Sequence, residues 1–220
     1  MYTPSFMWPP ALRFAATLWL ALACATAYAQ AQPLAGRDYL VLDPPQPAAP
    51  GATVEVIEFF DYGCPVCYES QPHIARWLAS ARADVSFTRV PSASAGNAES
   101  FALTYYALEA GGHLARFHWP IYDNHHFDDR RLHEEGSLLD WLAANGIDAV
   151  VFRQLRASPE NRARVAAGRK LFESYRVRAV PAFVVDGRFL TSARLADGVK
   201  QMMDVVAYLV ERARQERGGG

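Results

Sequence analysis

A β-branched and aromatic run, "TVEVIEFF" (53–60), ends in a turn at Asp61 to Gly63 and passes straight into "CPVCYES", two cysteines three apart around a proline. No other stretch restricts the fold as tightly. A run of this composition suits a buried central strand. The next segment, "CPVCYESQPHIARWLASAR", carries apolar residues at 66, 74, 77, 78 and 81, which is helical spacing. Pro65 suits a first-turn position, where its missing N–H is not needed, and Pro72 predicts a kink. The pattern puts Cys64 at the start of a helix and Cys67 one turn inward on it. A cysteine at that end meets unpaired backbone N–H groups and the positive pole of the helix, which favour thiolate over thiol.

The rest of the chain supplies the partners of that unit. "YLVL" (39–42) is a short edge strand, and the Pro/Ala-rich "DPPQPAAPGA" (43–52) is a spacer. "VSFTRV" (85–90) predicts a second buried strand. Residues 97–175 hold no convincing strand; helical patterns run over 98–110, 113–123, 137–144, 148–156 and 159–175. Ser158, Pro159 and Glu160 make an N-cap and first turn. "PAFVVDGRFLTS" (181–192) reads as two short strands joined by Asp186-Gly187, a strong two-residue hairpin signal. Val199, Met202, Met203, Val206, Leu209 and Val210 share one face of a last helix over 197–215. The order is strand, helix, strand, helical block, hairpin, helix. That is an α/β chain on the thioredoxin plan: residues 30–96 and 176–220 form the thioredoxin-like domain, and 97–175 an inserted all-helical domain.

Two cysteines so spaced fit zinc, a structural staple or a redox couple, and the N-terminus bears on the choice. Arg13 is the only charge before Arg37. "FAATLWLALACA" (14–25) is too short to span a bilayer as a helix, and "AYA" before Gln30 is a small-x-small pattern. Residues 1–29 therefore read as a signal peptide cut after Ala29. A retained anchor helix is the alternative; a lipoprotein cut before Cys24 is weaker, because Ala21 stands where that signal usually has leucine. Removing Cys24 leaves Cys64 and Cys67 alone of the three cysteines. A two-residue loop constrains the unfolded chain little, and no second cysteine pair completes a four-ligand zinc site. In an exported protein the pair reads as a thiol–disulfide couple.

"VIEFFDYGCPVCYES", followed far downstream by "VRAVPAFVVDGRF", resembles the periplasmic thiol:disulfide oxidoreductases of the DsbA type. The resemblance implies that Cys64 and Cys67 are catalytic. It implies a cis-proline at Pro181, preceded by Val180, whose backbone receives an incoming peptide strand beside the catalytic sulfur. Glu58 lies on the strand face of Val54, Val56 and Phe60, where burial raises a carboxyl pKa toward neutrality. It matches a buried acid of the family beneath the inner cysteine and is expected to relay protons for Cys67. Pro65 and Val66, the residues between the cysteines, tune the couple. Strongly oxidising members often carry His in place of Val66; its absence, and the charge of Asp61, should raise the Cys64 pKa.

His113, His118, His125, His126 and His133 fall within 21 residues, with Asp123, Asp128 and Asp129 among them. Their spacing forces no metal site, and they read as solvated loop and helix residues; Trp119, Tyr122 and Phe127 read as core or groove lining. No metal or cofactor is expected. A net charge of −1 gives no basic surface for nucleic acid. The expected function is a periplasmic oxidase that passes disulfides to reduced exported polypeptides and is reoxidised by a quinone-linked membrane partner of the DsbB type. A reductase or isomerase is the nearest alternative, and a non-catalytic peptide-binding chaperone a remoter one. Residues 30–53 are too few for the dimerisation domain of isomerases, which disfavours that alternative; a monomer is expected.

Overall fold

The computed structural model describes residues 32–47, 51, 53–94 and 96–218. The expected signal peptide and the final Gly219 and Gly220 lie outside them. Among the described residues five strands form one mixed sheet: β1 (Leu40–Val41), β2 (Val54–Phe60), β3 (Val85–Pro91), β4 (Ala182–Val185) and β5 (Phe189–Ser192), in the order β1-β5-β4-β2-β3. β3 pairs parallel to β2, and the other three pairings are antiparallel. The run from Val54 to Phe60 is central as expected, with β3 on one side and β4 on the other. Val85–Pro91 is not a second buried strand. It lies at the sheet edge, and its residues alternate between half-buried and exposed up to Val90 and Pro91, because only one of its faces is covered and one of its edges is unpaired.

Helix α1 (Pro65–Ser80) links β2 to β3 and runs on through Pro72. Between β3 and β4 come α2 (Asn97–Ala110), α3 (Leu114–His126), α4 (Glu135–Ala144), α5 (Ala149–Ala157) and α6 (Pro159–Ser174). The chain closes on α7 (Val199–Gly218). Caps explain the boundaries. The Ser158 hydroxyl accepts the Asn161 N–H at 3.1 Å with Pro159 opening α6, and Asp148 accepts the N–H groups of Val150 and Val151 to start α5. The β4–β5 turn has positive φ at Asp186 (56°) and Gly187 (66°), the geometry of a primed hairpin turn. Arg188 follows before Val185 and Phe189 pair, so the loop is one residue longer than expected.

Alternation along β2 builds a core on each face of the sheet. Val54 and Val56 pack with Ile74 of α1 and with Met202, Val206 and Leu209 of α7. Ile57 and Phe59 point the other way, where Phe59 meets Phe172 of α6 at 4.7 Å and Tyr175 at 5.8 Å. A third cluster runs from Phe60, Tyr62 and Cys67 into the helical segment through Phe101, Tyr105 and Tyr122. Each fully buried large side chain contributes about 1.5–3 kcal/mol of transfer free energy. The fold is the thioredoxin plan with α2–α6 inserted between β3 and β4. Among the described residues no helix is long and apolar enough to cross a membrane.

Candidate active site

The turn after β2 delivers Cys64 as the N-cap of α1, with φ −90° and ψ 117°. The Cys64 N–H donates to the Asp61 carbonyl at 3.1 Å, which closes the turn. Its sulfur accepts the Cys67 N–H at 3.4 Å, and its thiol donates to the Val180 carbonyl at 3.6 Å. Cys64 is half-buried and Cys67 fully buried, both as free thiols. These placements separate their acidities. The Cys67 side chain, the largest influence, hydrogen-bonds the Cys64 sulfur and helps hold its pKa down to about 7. Partial burial opposes this, the N–H groups of Cys67 and Val66 assist, and Asp61 pushes upward as expected. Burial drives Cys67 far the other way, reinforced by Cys64 and Glu58. One sulfur is ionisable and reachable; the other is shielded and keeps its proton.

The Val180–Pro181 peptide is cis and lies against Cys64. The Val180 carbonyl beside the sulfur and the exposed Val66 border one groove, whose other walls include Glu69, Ser192 and Arg194. Pro65 occupies the first turn of α1.

Glu58 has no exposed surface. Its Oε2 accepts Arg89 Nε at 2.8 Å and its Oε1 accepts Gln71 Nε2 at 3.2 Å. Desolvation raises its pKa, and Arg89 and Gln71 offset part of that rise. Arg89 and Gln71 were not expected from the sequence. The signal for Arg89 was present: setting the first valine of each run side by side in parallel, Val54 with Val85, puts Glu58 opposite Arg89, as observed.

The histidine block is not a set of solvated residues. The His118 imidazole shares a 2.7 Å hydrogen bond with the Tyr62 hydroxyl, and its Nε2 is shut off from solvent. Burial lowers its pKa to about 3. His126 Nε2 donates to the Tyr62 carbonyl at 2.7 Å, and its ring stacks on Tyr68 at 5.1 Å. His125 bonds the Arg130 carbonyl. The reason is that α3 runs on to His126, three residues beyond its expected end, so this face turns toward the cysteine loop. Tyr122 is core as expected, but Phe127 is 80% exposed. Trp119, partly exposed, lies over Tyr68 at 5.4 Å. Among the described residues no three His, Cys, Asp or Glu side chains converge as a metal site.

Comparison with known proteins agrees with this geometry. The DSBA-like thioredoxin domain matches residues 70–209, beginning just after the cysteine pair. The thiol:disulfide interchange protein DsbA of Burkholderia cepacia is 33% identical over 91% of this chain and 97% of its own length. That of Azotobacter vinelandii is 33% identical over 81% and 84%. Among solved structures, Pseudomonas aeruginosa DsbA superposes with a TM-score of 0.79 at 29% identity, covering 84% of this chain and 97% of that one. Xylella fastidiosa DsbA gives 0.76 at 28%, over 83% and 98%. A β-strand that hands a C-x-x-C pair to a helix opposite a cis-proline is thus joined to relatives matched along nearly their whole length, and the chain belongs to the DSBA-like thioredoxin-domain family.

Proposed function

We propose that the chain is a periplasmic thiol:disulfide oxidoreductase that introduces disulfides into exported proteins through the Cys64–Cys67 couple. The observation that carries this reading is the contrast between the two sulfurs. Cys64 is accessible and held near neutrality, whereas Cys67 is enclosed and held protonated. In the oxidised enzyme a substrate thiolate attacks Cys64, forming a mixed disulfide and expelling Cys67 as a thiolate that takes up a proton. Glu58, buried and with its pKa raised, relays that proton. A second substrate thiolate then attacks the substrate sulfur of the mixed disulfide and expels Cys64, which leaves readily because its thiolate is stabilised. Two electrons pass from the substrate dithiol to the enzyme, and the substrate keeps the disulfide.

Val180 and Pro181 receive the substrate backbone, and Pro65 and Val66 tune the couple. Reduced exported polypeptides are the electron donors, and a quinone-linked membrane protein of the DsbB type reoxidises the pair. Residues 1–29 act as the export signal. The same reading divides the mature chain into a thioredoxin-like domain (30–96 and 176–220) and a helical insertion (97–175), working as a monomer. Insulin reduction by wild type and Cys64→Ser tests the enzyme reading: the variant should lose activity, and equal rates would overturn it. The reduction potential of the couple fixes the direction of electron flow.

A further inference from the structure

One peptide group, between Tyr62 and Gly63, is bonded at both ends. Its carbonyl accepts His126 Nε2 at 2.7 Å, and its N–H donates to Asp61 Oδ1 at 2.8 Å. The next N–H, that of Cys64, closes back on the Asp61 carbonyl. A carboxylate and an imidazole from different parts of the chain thus bracket the peptide that leads into Cys64. The bracket is fastened to α3 at two further points. The Tyr62 hydroxyl bonds His118 at 2.7 Å, and the Tyr68 hydroxyl donates to Asp123 at 2.8 Å.

We infer that His126 is a positioning residue for Cys64, holding the Tyr62–Gly63 peptide against Asp61 and passing its own protonation state to the sulfur. This inference rests on the reading of Cys64 as the accessible nucleophile. Nε2–H donates to the carbonyl whether the ring is neutral or charged, so the bond survives protonation and only the charge changes. A neutral His126 leaves the Asp61 carboxylate uncompensated, and that charge opposes the Cys64 thiolate. A protonated His126 balances Asp61 and polarises the peptide in the sense that favours negative charge beyond it. The ionisable groups that face His126 are Asp61 from the β2–α1 turn, Tyr68 from α1, and Tyr122 and His125 from its own helix. Partial burial, chiefly, lowers the His126 pKa, opposed by its bond to the Tyr62 carbonyl and by Asp61; burial raises the Asp61 pKa, offset in part by the Gly63 N–H and by both histidines. The coupling is reciprocal: a thiolate at Cys64 must in turn favour the imidazolium. On the acid side, Cys64 therefore stays more ionised than a single independent titration allows.

The test is the rate of Cys64 alkylation by iodoacetamide in the reduced protein, from about pH 4 to about pH 9, which spans ordinary imidazole and thiol values. Wild type should give a two-step profile. His126→Gln keeps a donor for the carbonyl but cannot titrate. It should match wild type near pH 8 and fall behind by about 3- to 10-fold near pH 5.5, which corresponds to a shift of about half to one pKa unit from one nearby, partly screened charge. His126→Phe keeps the stack on Tyr68 and loses the donor, so it should slow alkylation across the whole range. In an Asp61→Asn background the effect of His126→Gln should shrink. Profiles of His126→Gln that superimpose on wild type, or an undiminished effect without Asp61, would overturn the inference. If His126→Phe does not fold, His126→Gln alone decides. Label appearing first on Cys67 would instead remove the reading of Cys64 itself.

Discussion

Burying Glu58 beneath a reactive pair costs the folded state, and the cost depends on pH in a definite sense. Its folded pKa is raised, by desolvation more than Arg89 and Gln71 can offset. A carboxyl raised on folding contributes stability that is fully present below its unfolded pKa and lost as the pH rises through the folded one. Replacing Glu58 by Gln removes that slope. The difference in Tm between Glu58→Gln and wild type should shift in favour of the variant between about pH 4 and about pH 8, across ordinary and raised carboxyl values. Parallel Tm curves would mean that the side chain does not titrate differently on folding. The same variant should slow release of substrate from the Cys64 mixed disulfide by the return attack of Cys67, which must give up the proton that Glu58 accepts, near neutrality, while leaving Cys64 alkylation almost unaltered. Wild-type release would leave Glu58 structural.

Elements behave as their ends dictate. The junction of α5 and α6 is one residue, Ser158, which ends the first helix and caps the second through its hydroxyl. Ser158→Ala should cost about 1 kcal/mol, read as a lower urea midpoint with unchanged slope; no change would mean that water replaces the cap. Such ends were legible in the sequence because they depend on neighbouring residues. So were the C-x-x-C helix, the helical block, the Asp186-Gly187 turn and the apolar face of α7. The exposure of β3 was not, since periodicity does not say which strand lies at an edge. The bracket around Tyr62 was not either: His126 and Asp61 are 65 positions apart in the chain, and nothing local marks them as partners. Arg89 was legible in principle, once β2 and β3 were paired in register. The acid of the site is legible from its strand face alone, whereas its partner is legible only from the pairing of two strands.

At the scale of the whole molecule, Phe60 joins the sheet to the helical segment. Its ring meets Tyr62 at 5.2 Å, Tyr105 at 5.3 Å and His118 at 5.5 Å, all edge to face. Phe60→Ala should cost about 3–5 kcal/mol, measured by denaturant unfolding; a loss below about 0.5 kcal/mol, the scale of an ordinary surface change, would show that the two parts hold together without it. The sheet also carries a delay in its connectivity. β2 and β3 complete their pairing by residue 91, but β4, the other neighbour of β2, begins at residue 182. At about 5–20 residues per second of synthesis, the helices between them take several seconds to emerge. Throughout that interval one edge of the central strand is bare and both thiols are open to the surroundings. The tempo of emergence of residues 92–181 thus sets how long a nascent copy can be caught, by strand pairing or by a stray mixed disulfide, before the core closes over Cys67.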